Sequence, residues 1–219
     1  MHQLSKYDVY IFDCDGVIFN SNQLKIKAMK NSLEANFSDS HLIKQCLNYF
    51  QLNFGKSRFH HIEHFLDVIF SLPLDQQLHY KKLILESFSH QCRTLYLSAE
   101  LTPGFMLFLS QCRGKIYVAS GSEQEELRDI FLQRGLENYF DGIYGSPSPK
   151  NELVKNILDQ ELNLNAVMIG DAESDMLAAH QNNIDFIFYA PFSNVKEMMV
   201  EQCINYDHLI INNFNTMRF

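Results

Sequence analysis

Two aspartates on either side of one residue, Asp13 and Asp15, have the spacing and setting best suited to chemistry in this sequence. They directly follow a run of β-branched and aromatic residues at 7–12, which is typical of a buried strand. An acidic residue next to such a run carries a burial cost unless it is paired. A carboxylate can attack phosphorus to form an aspartyl-phosphate, and a second carboxylate can pass protons to and from the reacting oxygens. The pair therefore predicts a nucleophile, Asp13, beside an acid/base residue, Asp15.

Other polar residues follow further strand-like runs, which lie at 115–119, 141–145 and 166–169. They are Ser120 and Gly121 after the first run, Lys150 beyond the second, and Asp171 and Asp175 after the third. Because the carboxyl ends of parallel strands meet at one edge of a sheet, we expect these residues to share a crevice with Asp13 and Asp15. Several carboxylates gathered there would repel one another and a phosphate, so the crevice needs Lys150 and a bound cation.

The elements that must position these residues alternate between strand and helix. A further strand is predicted at 185–190, and 207–211 is a candidate edge strand. Ser122 is expected to cap a helix that stops near Gly135, and Thr102 to cap another. This alternation predicts an α/β fold with a Rossmann-like parallel sheet covered by helices on both faces.

The stretch 17–99 has a different character, because it shows helical periodicity and no clear strand. Its predicted helices span 22–36, 39–52, 57–70 and 74–93. We therefore predict an all-helical cap domain at 17–99, inserted after the first strand. The core domain is then discontinuous and comprises 1–16 and 100–219.

The ordered motifs Asp13-x-Asp15-Gly16-Val17, Ser120, Lys150 and Gly170-Asp171-x-x-x-Asp175 resemble the four motifs of the haloacid dehalogenase (HAD) superfamily. The likeness spans nearly the whole chain, including a helical cap after the first motif. It implies Mg²⁺ held by the side chains of Asp13 and Asp171 and the backbone carbonyl of Asp15, since oxygen ligands suit this ion. It further implies that Ser120, Gly121 and Lys150 bind the phosphoryl oxygens. Asp175 is expected to orient either a metal-bound water or Lys150.

The resemblance implies an enzyme, a Mg²⁺-dependent phosphatase that hydrolyses a small phosphate monoester through an aspartyl-phosphate. Asp15 favours phosphate chemistry, because family dehalogenases lack an acid at that position. Asn20 departs from the acid that many members carry there, at a position associated with cap contacts and not with chemistry. The alternatives are a phosphotransferase or sugar phosphomutase with the same core residues, a non-catalytic binding module, and a phosphonatase that uses Lys56.

The loop around Gly55 places Lys56 and Arg58 at a helix start, where the helix dipole disfavours cations. One hypothesis is that Lys56 or Arg58 reaches into the crevice and binds an anionic group of the substrate. An exposed loop with ordinary surface charges explains the pattern equally well. A faint likeness of this loop to HAD proteins of surface-sugar biosynthesis makes a phosphorylated sugar or sugar acid the first candidate substrate.

The composition limits the partners of the protein. Eighteen basic and 26 acidic residues give a net charge of −8, which argues against nucleic acid and anionic membranes. Five dispersed cysteines, with no secretory or membrane segment, predict reduced thiols and a cytoplasmic location. We expect a small phosphorylated metabolite as partner and a monomer or weak homodimer.

His60 and His64 could share a helix face as metal ligands, but a polar helix surface is the favoured interpretation.

Overall fold

The computed structural model describes residues 6–162 and 165–216. In this part of the chain, six parallel strands form one sheet in the order β3-β2-β1-β4-β5-β6. They are β1 (Val9–Phe12), β2 (Lys115–Glu123), β3 (Gly142–Ser146), β4 (Ala166–Gly170), β5 (Asp185–Tyr189) and β6 (Leu209–Ile211). The chain runs outwards from the central β1 to β3 and then returns to the other side of β1 as β4. This reversal leaves a crevice at the carboxyl ends of β1 and β4.

The helices fall into an inserted group and a group that covers the sheet. The inserted helices, between β1 and β2, are α1 (Asn22–Glu34), α2 (Ser40–Leu52), α3 (Arg58–His64) and α4 (Leu74–Ser98), with a π-helical turn at Phe65–Ile69. The others are α5 (Phe105–Gln111), α6 (Gln124–Gln133), α7 (Lys150–Glu161), α8 (Glu173–Gln181) and α9 (Lys196–Asn205). Short 3₁₀ turns lie at Glu137–Tyr139 and Phe214–Thr216.

Each face of the sheet builds its own hydrophobic core. Tyr10 and Phe12 of β1 belong to one core, whereas Val9 and Ile11 belong to the other, as the alternation of side chains along a strand requires. The first core continues into the inserted helices, where Phe88 of α4 is part of the same cluster. The insertion is therefore attached to the sheet by apolar packing as well as by the chain itself.

The predicted parallel α/β sheet is confirmed. Every predicted run forms a strand, and 207–211 supplies the edge strand β6, which pairs with β5. The four inserted helices are also present, although the third gives way to the π-helical turn and the fourth continues to Ser98. The division into separate core and cap domains stays a prediction.

Two predicted helix caps are corrected by the structure. Glu123 and not Ser122 caps α6, because the Glu123 carboxylate accepts the first backbone N–H groups of that helix. Helix α5 begins after Gly104, and the Thr102 hydroxyl donates to the backbone carbonyl of Val17. Both hydroxyls are used in contacts with distant parts of the chain, which a local sequence pattern does not report.

His60 and His64 pack around Tyr49 instead of converging on a metal. The His64 ring stacks on Tyr49 with 3.7 Å between centroids, and the Tyr49 hydroxyl lies 2.9 Å from His60 Nε2. Within 6–162 and 165–216, neither histidine belongs to a group of side chains that could hold a metal ion.

In the same ranges, no helix combines the length and apolar character that a bilayer crossing requires.

Candidate active site

Lys150 connects the carboxylates that follow β1 and β4. Asp13 comes directly after β1, and Lys150 opens α7 with its Nζ 2.9 Å from Asp13 Oδ1. The same ammonium donates to Asp175 Oδ1 in the first turn of α8. All three side chains are buried. The sheet thus brings Asp13, Lys150 and Asp175 together as the sequence predicts.

Asp175 has both carboxylate oxygens occupied by protein donors. Its Oδ1 accepts from Lys150, while its Oδ2 accepts the backbone N–H groups of Asp171, at 3.1 Å, and Ala172, at 3.0 Å. A Cβ added to Gly170 would collide with the Asp175 side chain, so a glycine at 170 permits this close approach. Asp175 therefore fixes Lys150 and the loop after β4, which supports the predicted orienting role.

The burial of these carboxylates disfavours their charged forms. Burial raises the pKa of Asp13 to about 7, since the opposing attraction of Lys150 is offset by the nearby carboxylates of Asp175 and Asp15. The pKa of Asp171 is raised well above its ordinary value by burial and then by the charge of Asp13. Lys150 has a raised pKa, because its two carboxylate partners outweigh its own burial. A further cation at this place would favour both ionised aspartates.

The oxygen atoms present suit a hard divalent cation. Carboxylate oxygens of Asp13, Asp171 and Asp175 all lie within 4.8 Å of one another. Asp171 Oδ1 is buried without a hydrogen-bond partner among the described residues, whereas its Oδ2 accepts from Asn22 Nδ2 at 2.7 Å. Because both oxygens of Asp175 are occupied, Asp13 and Asp171 are the carboxylates best placed to hold Mg²⁺. A role for the Asp15 backbone carbonyl stays a prediction.

Asp15 has a separate set of partners. They are Ser21 Oγ at 2.5 Å, Tyr96 Oη at 2.7 and 2.8 Å, Lys25 Nζ at 2.8 Å and Ser122 Oγ at 3.1 Å. Burial by itself would raise the pKa of Asp15, but the Lys25 ammonium and these hydrogen bonds outweigh it, so the pKa is lowered. Asp13 and Asp15 are two residues apart in sequence, yet their pKa values shift in opposite directions.

Several of these partners were missed by sequence reasoning. Lys25 and Asn22 lie on α1, and Tyr96 lies on α4, so all three come from the inserted helices. One signal was available for Lys25. It shares a helix face at spacings of three and four residues with Asn22 and Met29, a face that is otherwise buried. A lysine on such a face needs a partner, which here is Asp15.

Ser120 and Gly121 lie at the edge of the crevice where β2 meets the inserted loop. Ser120 is buried, and its Oγ accepts the backbone N–H of Ser122 at 3.1 Å. A Cβ added to Gly121 would collide with the backbone carbonyl of Gly55, so the absence of a side chain lets the loop close against β2. The binding of phosphoryl oxygens by Ser120, Gly121 and Lys150 stays a prediction.

The hypothesis that Arg58 reaches into the crevice is corrected by its position. Its guanidinium forms two hydrogen bonds with the Glu126 carboxylate of α6, at 2.7 and 3.0 Å, and one with Ser89. Both members of this ion pair are buried. The buried pair with Glu126 holds the Arg58 guanidinium and leaves it unavailable to a substrate. Lys56 is exposed and donates to Asn53 Oδ1 at 2.9 Å, and it lines the crevice.

The inserted helices close over Asp13 and Asp15. A cavity of ≈ 10 Å³ lies against Asp13, Asp15 and Lys25, which is room for about one water molecule. A larger cavity of ≈ 420 Å³ lies next to it, and Gly55 and Gly121 line both. The loop at Gly55 therefore lies between the larger cavity and the carboxylates.

Comparison with solved structures identifies many proteins of the same fold. A predicted phosphatase from Clostridium acetobutylicum superposes with a TM-score of 0.73 at 19% identity, over 96% of both chains. The β-phosphoglucomutase of Clostridium difficile gives 0.69 at 16% identity, over 97% of this chain and 94% of that one. The HAD-hydrolase YfnB of Bacillus subtilis, solved bound to magnesium, gives 0.63 at 14% identity, over 91% and 99%.

At these identities, the likeness shows the fold alone. A search of curated proteins found no significant match. The sequence model of the family described as haloacid dehalogenase-like hydrolase matches residues 10–189, which contain all four motif segments. The chain therefore belongs to the haloacid dehalogenase-like hydrolase family.

Proposed function

We propose that this hydrolase is a Mg²⁺-dependent phosphatase that cleaves a small phosphate monoester through an aspartyl-phosphate on Asp13. One observation carries the proposal: Asp13 and Asp15 lie side by side in two different charge settings. Asp13 pairs with Lys150 among other carboxylates, whereas Asp15 is enclosed by Lys25 and three hydroxyl groups. Two carboxylates in contrasting environments are typical of a site that divides nucleophilic and acid/base work.

The proposed reaction has two displacements at phosphorus. A carboxylate oxygen of Asp13 bonds to phosphorus as the ester P–O bond breaks, and Asp15 gives its proton to the departing alcohol oxygen. Water then attacks the same phosphorus, the bond to Asp13 breaks, and Asp15 takes the proton from that water. Phosphate leaves, and both carboxyl groups return to their starting forms.

The partners of Asp15 match the second displacement directly. A lowered pKa keeps Asp15 ionised, which is the form that accepts a proton from water. The first displacement needs the protonated acid, which the Lys25 ammonium disfavours. A leaving group that enters between Lys25 and Asp15 separates this pair, and burial then favours the proton on Asp15.

Mg²⁺ fits the donor set of Asp13 and Asp171, and the B. subtilis structure of the same fold binds magnesium. When bound, the ion supplies positive charge that offsets the charge of the phosphoryl group. Lys150 supplies the fixed positive charge beside Asp13, and Asp175 holds it there. Beside Asp13, the described residues thus offer the ammonium of Lys150 and a place for a metal cation.

A sugar phosphomutase is the second candidate, and the small size of the cavity beside Asp13 and Asp15 favours it. At ≈ 10 Å³ the cavity has room for about one water molecule, and a phosphotransferase must keep water from the aspartyl-phosphate. The β-phosphoglucomutase of C. difficile has the same fold. Product analysis with hexose 1-phosphates separates the two, since a mutase forms hexose 6-phosphate and a phosphatase releases inorganic phosphate.

The proposed phosphatase is tested with a panel of sugar, sugar-acid and other organic phosphates, each with Mg²⁺ and with EDTA. We expect phosphate release from at least one ester with Mg²⁺, loss of release in EDTA, and no turnover by Asp13→Asn. Asp67→Asn, an exposed aspartate of the insertion, is the control and should retain full activity. Turnover by Asp13→Asn would contradict the nucleophile, and an inactive wild-type chain would contradict the phosphatase itself.

A further inference from the structure

His61 of α3 is a buried polar residue whose hydrogen-bonding groups are unused. Its side chain is fully buried, and neither Nδ1 nor Nε2 has a hydrogen-bond partner among the residues that the structure describes. A buried polar atom left without a partner costs free energy, and most such atoms in folded proteins are paired. Two unpaired atoms on one ring therefore call for an explanation.

The His61 ring lines the small cavity that also touches Asp13 and Asp15. Aromatic rings hold it there, since Phe50 lies 4.7 Å away edge-on and Phe65 lies 6.1 Å away, centroid to centroid. The ring is thus fixed by packing next to Asp13 and Asp15, and no polar contact within 6–162 and 165–216 satisfies it. The group that completes its hydrogen bonds must come from whatever enters the cavity.

The charge state of His61 limits what that group can be. Burial is the main cause that lowers the pKa of His61 to about 3, and electrostatic repulsion from His60, Lys25, Lys56 and His64 contributes to the same shift. The ring is therefore a neutral imidazole, with one N–H donor and one acceptor nitrogen. A hydroxyl group can serve either nitrogen, because it can donate to the acceptor nitrogen or accept from the N–H, whereas an ionised phosphate or carboxylate can only accept.

We propose that His61 is a specificity-determining residue that binds a hydroxyl group of the leaving alcohol, adjacent to the ester oxygen. The substrate class is then the phosphate esters of hydroxylated carbon compounds, such as polyols and sugars. This inference rests on the proposed phosphatase function, because it places the ester oxygen beside Asp15. The hydroxyl enters when the loop at Gly55 lifts, and it pairs with one ring nitrogen of His61 when the loop closes again.

The test compares two esters with the same carbon skeleton, glycerol 1-phosphate and propyl phosphate. We expect the wild-type chain to prefer glycerol 1-phosphate by at least about tenfold in kcat/KM, since a site built for a hydroxyl leaves its polar atoms unpaired without one. In His61→Phe the preference should fall close to unity, with turnover of propyl phosphate changed less than about threefold. His90→Phe, an exposed histidine on α4, should keep the wild-type preference.

His61→Phe should fold, because it places an aromatic ring in an aromatic cluster and removes two unpaired atoms. His61→Gln retains a donor and an acceptor and should keep part of the preference even if the Phe variant unfolds. A wild-type chain without preference for glycerol 1-phosphate, including one that turns over neither ester, would overturn the role of His61. An equal loss of kcat/KM on both esters in the His61 variants would also overturn this role of His61. Failure of the whole phosphate panel is a different result, which removes the phosphatase proposal as well.

Discussion

Lys25 Nζ lies 2.8 Å from Asp15 Oδ2, so a lysine of the inserted helix α1 holds the carboxyl group that follows β1. The same ammonium lies 2.8 Å from Ser122 Oγ at the end of β2. Both Lys25 and Asp15 are buried, where an ion pair is screened little by solvent. The insertion therefore sets the charge of the proposed acid/base residue as well as covering it.

Replacing Lys25 by Met should raise the pKa of Asp15, because burial raises this pKa and the ammonium that opposes the effect is removed. The first displacement needs protonated Asp15, so the pH above which kcat/KM declines should move upward by about 1–3 units. Rate profiles between about pH 4 and about pH 9 measure the shift. Lys27→Met, on the exposed side of the same helix, should leave the profile unchanged. A profile that stays in place or moves to lower pH in Lys25→Met contradicts this role.

Breaking the buried pair of Arg58 and Glu126 should destabilise the fold. Arg58→Met leaves the Glu126 carboxylate buried without its partner, at a cost of about 3–5 kcal/mol in the free energy of unfolding. Changing both residues, Arg58→Met with Glu126→Leu, should recover most of that loss. Urea denaturation measures each value, with Glu125→Gln, an exposed neighbour, as control. If the double variant is no more stable than the single one, the loss does not come from an unpaired charge.

Removing Asp171 should have opposite effects with and without magnesium. In EDTA, Asp171→Asn should melt at a higher temperature than wild type, because the amide replaces a buried carboxyl group whose ionised form is disfavoured by burial and by Asp13. Mg²⁺ at a hundredfold excess over its Kd should stabilise wild type by about 2.7 kcal/mol and the variant far less. Glu173→Gln is the control, since Glu173 is not part of the carboxylate cluster among the described residues. An equal magnesium response in Asp171→Asn would exclude this residue as a ligand.

His61 should make the stability of the wild-type fold sensitive to mild acid. Its folded pKa of about 3 lies below its ordinary 6.5, so the unfolded chain binds a proton that the folded one does not as pH falls from 6.5 towards 3. Between about pH 7.5 and about pH 5, wild type should lose about 2 kcal/mol more than His61→Phe. Denaturation at the two pH values tests this, and equal losses in both proteins would place the imidazole in contact with water.

The sequence alone was sufficient for the sheet and for the residues at its carboxyl edge. Parallel strands share one direction, so a run such as 166–169 must deliver Asp171 to the edge that holds Asp13. The match of the family model over residues 10–189 and the strand order are in accord with this argument. Lys150 beside Asp13 follows from the same geometry.

The tertiary structure decided which side chains of the insertion meet that edge. Tyr96 and Asp15 are 81 positions apart, and Arg58 and Glu126 are 68 apart. Neither pairing follows from a local period, because the rotation and tilt of an inserted helix depend on how its whole apolar face packs. The same packing pairs Arg58 with Glu126, away from the crevice. It also places the His61 ring against the small cavity that Asp13 and Asp15 line. The alternation of strand and helix can be read along the chain and leads to a parallel sheet, whereas helix docking depends on contacts between distant segments.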